Sequence, residues 1–251
     1  MEYIAVIGAS GEVGRGITAV LLNQGFKVAA VGQNATRLAA LATELGDPAN
    51  LYTVTGSLKT DATAQALLES LRDTFPRLDG VVVSVYGPRT TADVLSHSSD
   101  DFAALIAQDL VTHFTAARCF IPAIAPGGVY LAIGGGSADF ILEGGVHLSA
   151  AQAGLRMLYR GIAHELDGQA ITLKELTVAS VVNSAGTRAN AHPLWVTETE
   201  VGEQVAAMLT APAAFPGTVW RMTRRDNTGR PGLSGEGPTR VQGFKQGPAI
   251  L

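Results

Sequence analysis

The stretch Gly8-Ala9-Ser10-Gly11-Glu12-Val13-Gly14-Arg15-Gly16 follows the apolar run Tyr3-Ile4-Ala5-Val6-Ile7 and leads into Ile17-Thr18-Ala19-Val20-Leu21-Leu22. A strand, a glycine-rich turn and a helix in that order build a phosphate pocket. Turn residues without side chains let the backbone approach the anion, and the bare N–H groups of the helix N-terminus face it. The alternative is a glycine turn with a purely structural role. Its place at the head of a series of αβ units favours dinucleotide binding. A second glycine run, Gly134-Gly135-Gly136 followed by Ser137, could turn backbone N–H groups toward an anion or a carbonyl oxygen, or serve as a flexible strand exit.

The elements that must position these residues are legible as alternating patterns. Besides the first strand, short branched-residue runs at Phe26–Val31, Leu51–Thr55, Asp79–Val83, Gly128–Ile133, Ile171–Val178 and Thr218–Met222 read as strands, seven in all. Between them Asn34 caps a helix over Ala35–Leu45, and Asp61–Phe75 stops at Pro76. Ser98 and Asp101 form a capping box before Phe102–Cys119. The longest helix covers about Leu148–Leu166, with Leu155, Leu158, Ile162 and Leu166 as its packing stripe. The alternation predicts a doubly wound parallel seven-stranded sheet in a three-layer αβα Rossmann fold over residues 1–222. Residues 223–251 carry scattered glycine, proline and charge, an irregular tail that is mobile or covers a pocket.

Composition narrows the partners. With 251 residues, 47% hydrophobic and 16% charged, the chain suits one well-buried α/β domain and excludes a disordered chain. The net charge of -4 and the absence of a basic run give no reason to expect nucleic acid or an anionic membrane, so a small-molecule substrate is expected. Cys119 is the single cysteine, which leaves no disulfide and no cysteine cage for a metal. No signal-like segment precedes the first strand, and Pro122 and Pro126 interrupt the longest apolar stretch, so the expectation is a cytoplasmic protein without a membrane span.

The glycine turn, the spacing of the αβ units and the stretch Ala153-Gly154-Leu155-Arg156-Met157-Leu158-Tyr159-Arg160-Gly161-Ile162-Ala163-His164-Glu165-Leu166 resemble the short-chain dehydrogenase/reductase family over about residues 3–222. The resemblance implies NAD or NADP as cofactor, a homodimer or homotetramer associating through long helices, and cofactor contacts from Gly8, Ser10, Gly11, Val13, Gly14, Gln33, Ser57, Leu58, Ser84 and Gln152. It also fixes a register for the family's catalytic residues, in which the tyrosine position falls on Leu148 and the lysine position on Gln152. Leu148 has no proton to give and Gln152 no charge, although Gln152 could still hydrogen-bond a ribose. In the same register the serine position falls on Gly135, with Ser137 two residues on, and the asparagine position falls on Asp109.

Four residues are therefore candidates for the displaced chemistry: Asp109, His147, Tyr86 and Ser137. A buried Asp109 without a cation would have a raised pKa and could donate a proton, and His113, one helical turn on, could share it. His147, beside the lost tyrosine, carries an imidazole that can donate or accept a proton, and it could pair with Glu143 across Gly144-Gly145. Tyr86 stands in the turn Ser84-Val85-Tyr86-Gly87 after the fourth strand, where it could stack on a cofactor, supply a phenol or fill the cavity. Ser137 could polarise a carbonyl or simply bond the backbone of its turn. Arg37 and Arg15 could reach a 2′-phosphate. Glu12 stands where many relatives have glycine, so the turn follows the spacing Gly8, Gly11, Gly14 of divergent branches. Three functions are compatible: a redox enzyme with a rearranged proton donor, a non-redox isomerase, dehydratase or cyclase, and a non-catalytic nucleotide sensor.

Overall fold

The computed structural model describes residues 1–87, 91–237 and 239. The chain alternates β1 (Tyr3–Ile7), α1 (Glu12–Asn23), β2 (Lys27–Gly32), α2 (Ala35–Glu44), β3 (Leu51–Thr55), α3 (Asp61–Thr74) and β4 (Leu78–Val83). It continues through α4 (Ser99–Ile106), α5 (Thr112–Phe120), β5 (Ile124–Gly135), α6 (Val146–Glu165) and β6 (Thr172–Ala179). A two-stranded parallel ribbon, β7 (Val182–Asn183) with β8 (Val196–Thr197), precedes α7 (Glu198–Thr210), β9 (Val219–Arg225) and β10 (Pro231–Gly235).

The strands order as β10-β9-β6-β5-β4-β1-β2-β3, parallel throughout except for the antiparallel β9–β10 pair. Three-layer α/β architecture is therefore present, with eight strands in the main sheet among the described residues where the sequence patterns suggest seven. The extra strand, β10, lies within residues 223–251, and β9 also runs three residues beyond Met222. Its sequence, Pro-Gly-Leu-Ser-Gly, has neither alternation nor β-branched residues. Pairing to β9 supplies the order that local propensity does not. Residues 238 and 240–251 of the expected tail lie outside the described residues.

Period-2 burial splits the core into two sheets of side chains. Ile4 and Val6 of β1 point toward Ile17, Leu21, Leu38, Val201 and Val205, so α1, α2 and α7 cover one face. Ala5 and Ile7 point toward Leu67, Leu71, Ala116, Phe120, Leu155 and Tyr159, so α3, α5 and α6 cover the other. Two helices start where the sequence puts them: Asn34 Oδ1 accepts from Arg37 N at 3.0 Å, and Ser98 Oγ accepts from Asp101 N at 3.1 Å. The helix expected over Phe102–Cys119 is broken by a π-helical turn at Ala107–Val111, which carries Asp109.

Strand order reverses between β1 and β4, and an α/β sheet binds ligands in the crevice outside the carboxyl ends of its strands at such a point. The loops after β1, β4, β5 and β6 all leave from that edge. No described helix is long and apolar enough to cross a membrane, and no three His, Cys, Asp or Glu among the described residues are grouped to hold a metal ion.

Candidate active site

The glycine turn packs against its neighbours so tightly that Gly8, Gly14 and Gly16 leave no room for a side chain. Gly8 has φ of +90°, and a Cβ there would collide with the carbonyl of Ser84 at the end of β4. A Cβ on Gly14 would collide with the Gly8 carbonyl. The turn is held to the strand ends by Gly8 N and Ala9 N, which both donate to Val31 O, at 2.9 and 3.1 Å, and Ser84 N donates to Ile7 O at 2.8 Å. Gly11 is the N-cap of α1 and provides no side-chain bond to the first-turn N–H groups. Ser10 is half-buried, and its carbonyl accepts from Arg37 Nη2 at 2.7 Å. Arg37 thus sits beside the turn, whereas Arg15 pairs with Glu44 at 2.9 Å.

Further along the crevice Gln33 is exposed after β2. Ser57 Oγ accepts from Lys59 N at 3.1 Å, while Leu58, 3% exposed, buries its side chain in the core, so only its backbone could face a ligand. Val13 packs partly into the opposite core. At the β1–β4 end the backbone therefore fits a dinucleotide cradle. Glu12 is the one side chain in it that opposes an anion. Its carboxylate accepts from the Ser184 hydroxyl and from Gly186 N at 3.0 Å, across the crevice from its own helix.

The other half of the site lies between α5 and α6. Leu148 is 3% exposed on the inner face of α6, and Gln152, also 3% exposed, accepts a hydrogen bond from Gly135 N at its Oε1, 2.6 Å away. That bond engages the Gly135 N–H, the central donor of the glycine run suggested as an oxyanion site. Ser137 is half-buried on a short 3-10 turn, Gly136–Ala138, and bonds no side-chain partner among the described residues. Tyr86 is 46% exposed in the loop after β4.

Asp109 is 1% exposed, and its Oδ1 accepts from Gly87 N at 2.9 Å. Burial raises its pKa, and the Gly87 bond and the charge of nearby His147 only partly oppose that. His147 is 1% exposed, yet neither ring nitrogen has a partner among the described residues. Its ring meets His97 edge-on, centroids 5.7 Å apart, and His97 Nε2 also lacks a partner among those residues. Asp109, His147 and His97 thus form a proton-active group against the apolar Leu148.

Two suggested pairings are not made. His113 does not share a proton with Asp109. Its Nδ1 meets Tyr159 Oη at 2.9 Å and its Nε2 meets Val85 O at 3.2 Å, because the side chain points into the core. Glu143 forms no ion pair with His147 among the described residues. The sequence gives little sign of His97, which lies fifty residues from His147 in a segment without pattern; the capping serine next to it is the only local signal.

Residues 2–212 match the family model described as short chain dehydrogenase. The chain belongs to the short chain dehydrogenase family, whose members bind NAD or NADP and are in general oxidoreductases. No curated protein matches the chain. Among solved structures it is similar to a double mutant of a Serratia marcescens short-chain dehydrogenase/reductase, with 19% identity, a TM-score of 0.77, and 87% of this chain and 94% of that one covered. It is also similar to the Pseudomonas aeruginosa RhlG/NADP active-site complex, at 22% identity and a TM-score of 0.75, covering 87% of this chain and 93% of that one. A third is the apo short chain oxidoreductase from Pseudomonas aeruginosa PAO1 containing an atypical catalytic center, with 16% identity, a TM-score of 0.77 and coverage of 87% and 94%.

Proposed function

We propose that this protein is an NAD(P)-dependent oxidoreductase acting on a small carbonyl or alcohol substrate, in which Asp109 and His147 supply the proton that relatives take from a tyrosine. The observation that carries the reading is the proximity of a buried, hydrogen-bonded carboxyl at Asp109 to the unpartnered ring of His147, which adjoins Leu148. In the register of the family resemblance, Leu148, Gln152 and Gly135 stand at the tyrosine, lysine and serine positions. The apo Pseudomonas aeruginosa oxidoreductase, with its atypical catalytic center, lends such a departure a precedent within this fold.

The cofactor would be held by the turn of Gly8, Ser10, Gly11, Val13 and Gly14, with Gln33, Ser57, Leu58 backbone and Ser84 along the crevice, and when bound it supplies or accepts a hydride. The chain's own part is the proton. Burial keeps the Asp109 carboxyl protonated to higher pH than a free aspartic acid, and the Gly87 N–H fixes Oδ1, leaving Oδ2 to carry the proton. His147 can accept or return it through either nitrogen, and His97 extends the path. Leu148 excludes water from one side, and Gln152 holds the β5 end against α6. Tyr86 and Ser137 border the loops through which substrate would enter. Exposed Val111, Phe114 and Met157 on the helical layer support a homodimer or homotetramer.

The test is a titration with NADH and NADPH followed by a panel of carbonyl and alcohol substrates. Hydride transfer should be seen with one cofactor, and Asp109→Asn should lower kcat by roughly 10²–10⁴-fold, the usual worth of a general acid. A bound cofactor with no redox turnover, together with proton exchange into substrate that Asp109→Asn abolishes, would move the assignment to a non-redox isomerase or dehydratase.

A further inference from the structure

Glu12 is the first residue of α1, in the position from which a helix N-terminus offers N–H groups to a phosphate. Its carboxylate is aimed across the crevice. The Ser184 hydroxyl and the Gly186 N–H converge on its Oε2, and a Cβ on Gly186 would collide with its Oε1. The receiving loop is itself built. Ser184 N donates to Thr187 Oγ1 at 2.9 Å, and Thr187 Oγ1 donates to Val182 O at 2.7 Å, so both donors to Glu12 are held in place. The Ser184 hydroxyl holds the Glu12 pKa below the ordinary glutamate value, with Gly186, Arg15 and Arg37 assisting against a modest burial penalty. The group is thus an anion at neutral pH, bridging the glycine turn to the loop beyond β6.

We propose that the Glu12 carboxylate serves as a resident anion in the place a dinucleotide's diphosphate would take, so that it latches the crevice shut and any nucleotide diphosphate must displace it. The inference rests on the reading of the turn as a dinucleotide cradle. Two physical costs follow for the incoming ligand: repulsion between like charges at short range, and loss of the Ser184 and Gly186 bonds. Nucleosides without a diphosphate escape the first. The residue thereby sets which nucleotide chemistry the crevice admits, and it makes the family's cofactor a weak ligand here.

Isothermal titration with ADP, NADPH and adenosine as probes, on the wild type, Glu12→Gln and Glu12→Gly, decides the matter. Glu12→Gln keeps an acceptor for Ser184 and Gly186 and removes only the charge, and a thermal melt confirms that it folds. ADP and NADPH should bind Glu12→Gln roughly tenfold to a hundredfold more tightly than wild type, with adenosine unchanged and Glu12→Gly at least as tight. Equal or weaker ADP affinity in Glu12→Gln overturns the proposal, as does a gain shared equally by adenosine or a failure of every form to bind ADP. The readout is binding alone. A chain that gains ADP affinity in Glu12→Gln but never transfers hydride would refute the redox assignment and leave the latch standing.

Discussion

His113 and His147 are both buried beneath helices on the same face of the sheet, and their surroundings could hardly differ more. His113 is fully engaged. Burial pushes its pKa down to about 4, against a smaller pull from the Val85 carbonyl, so it is neutral at physiological pH. A neutral imidazole has one donor and one acceptor. Nε2–H therefore donates to Val85 O, and Nδ1 accepts from Tyr159 Oη. Tyr130 Oη lies 3.3 Å from Tyr159 Oη, where it can donate and complete the chain, and burial raises the pKa of both phenols. His147 has the same burial and no partner on either nitrogen among the described residues. Satisfied polar groups hold a fold together, whereas unsatisfied ones cost stability and are retained where a ligand or a proton completes them. On the proposed function, the first histidine belongs to structure and the second to chemistry.

Substitution of both residues by leucine should separate the two roles. The largest effect expected is on turnover in His147→Leu, a fall of roughly 10²–10⁴-fold, while the melting temperature holds or rises because two unpaired nitrogens disappear. Equal turnover in His147→Leu would break the comparison. His113→Leu should instead lose about 2–4 kcal/mol of stability in denaturant unfolding, since it strands the Tyr159 hydroxyl and the Val85 carbonyl. A stable His113→Leu protein would mean that the buried chain of hydrogen bonds contributes nothing to the fold.

A smaller effect sharpens the same contrast through pH. Glu175 on β6 is 1% exposed, with Oε1 accepting from Thr177 Oγ1 at 2.9 Å and Oε2 unpartnered among the described residues. Burial pushes its pKa to about 7, with Thr177, Arg156 and Arg160 pulling the other way. The native state therefore holds a proton that the unfolded state has lost, and the stability this gives is full below about 4.5 and fades as pH rises to about 7. His113 runs oppositely. Its native pKa is depressed, so its stabilising contribution is present above about 6.5 and lost as pH falls toward about 4. Between these limits the two slopes offset. Glu175→Gln should remove one of them, so that the melting temperature of the variant falls on acidification from pH 6.5 to pH 4.5 more steeply than that of wild type. Identical profiles for the two proteins would remove Glu175 from the account.

The sequence shows backbone features more readily than side-chain meetings. Leu51–Thr55 is a strand with the expected bounds, and the caps at Asn34 and Ser98 form as their residue types require. Helix α7 is not apparent from its pattern, although Thr197 and Glu200 make a complete capping box at its start. Gly202 and the adjacent Ala206 and Ala207 dilute its apolar stripe, and the helix is stabilised by packing against α1. β10 is hidden for the converse reason, since its order comes entirely from a neighbouring strand. At the site, Asp109 and His147 can be nominated one at a time, but their neighbourhood with His97 depends on a π-helical turn and a loop that carry no periodic signal. Glu12 is conspicuous as a departure. Its partners, more than a hundred and seventy residues away, are not legible.

β10 has a consequence for assembly. Laid antiparallel along β9, it uses the hydrogen-bonding edge that would otherwise be open to another chain. What it exposes in turn is a poor template: Pro231 has no N–H to give, and Gly232 and Gly235 offer no side chains to grip a partner. The strand is also pinned from behind, where Glu236 pairs with Arg160 and, at 3.4 Å, with Arg156 of α6. Subunits cannot readily join by continuing this sheet across an interface at that margin, so growth into filaments is discouraged there.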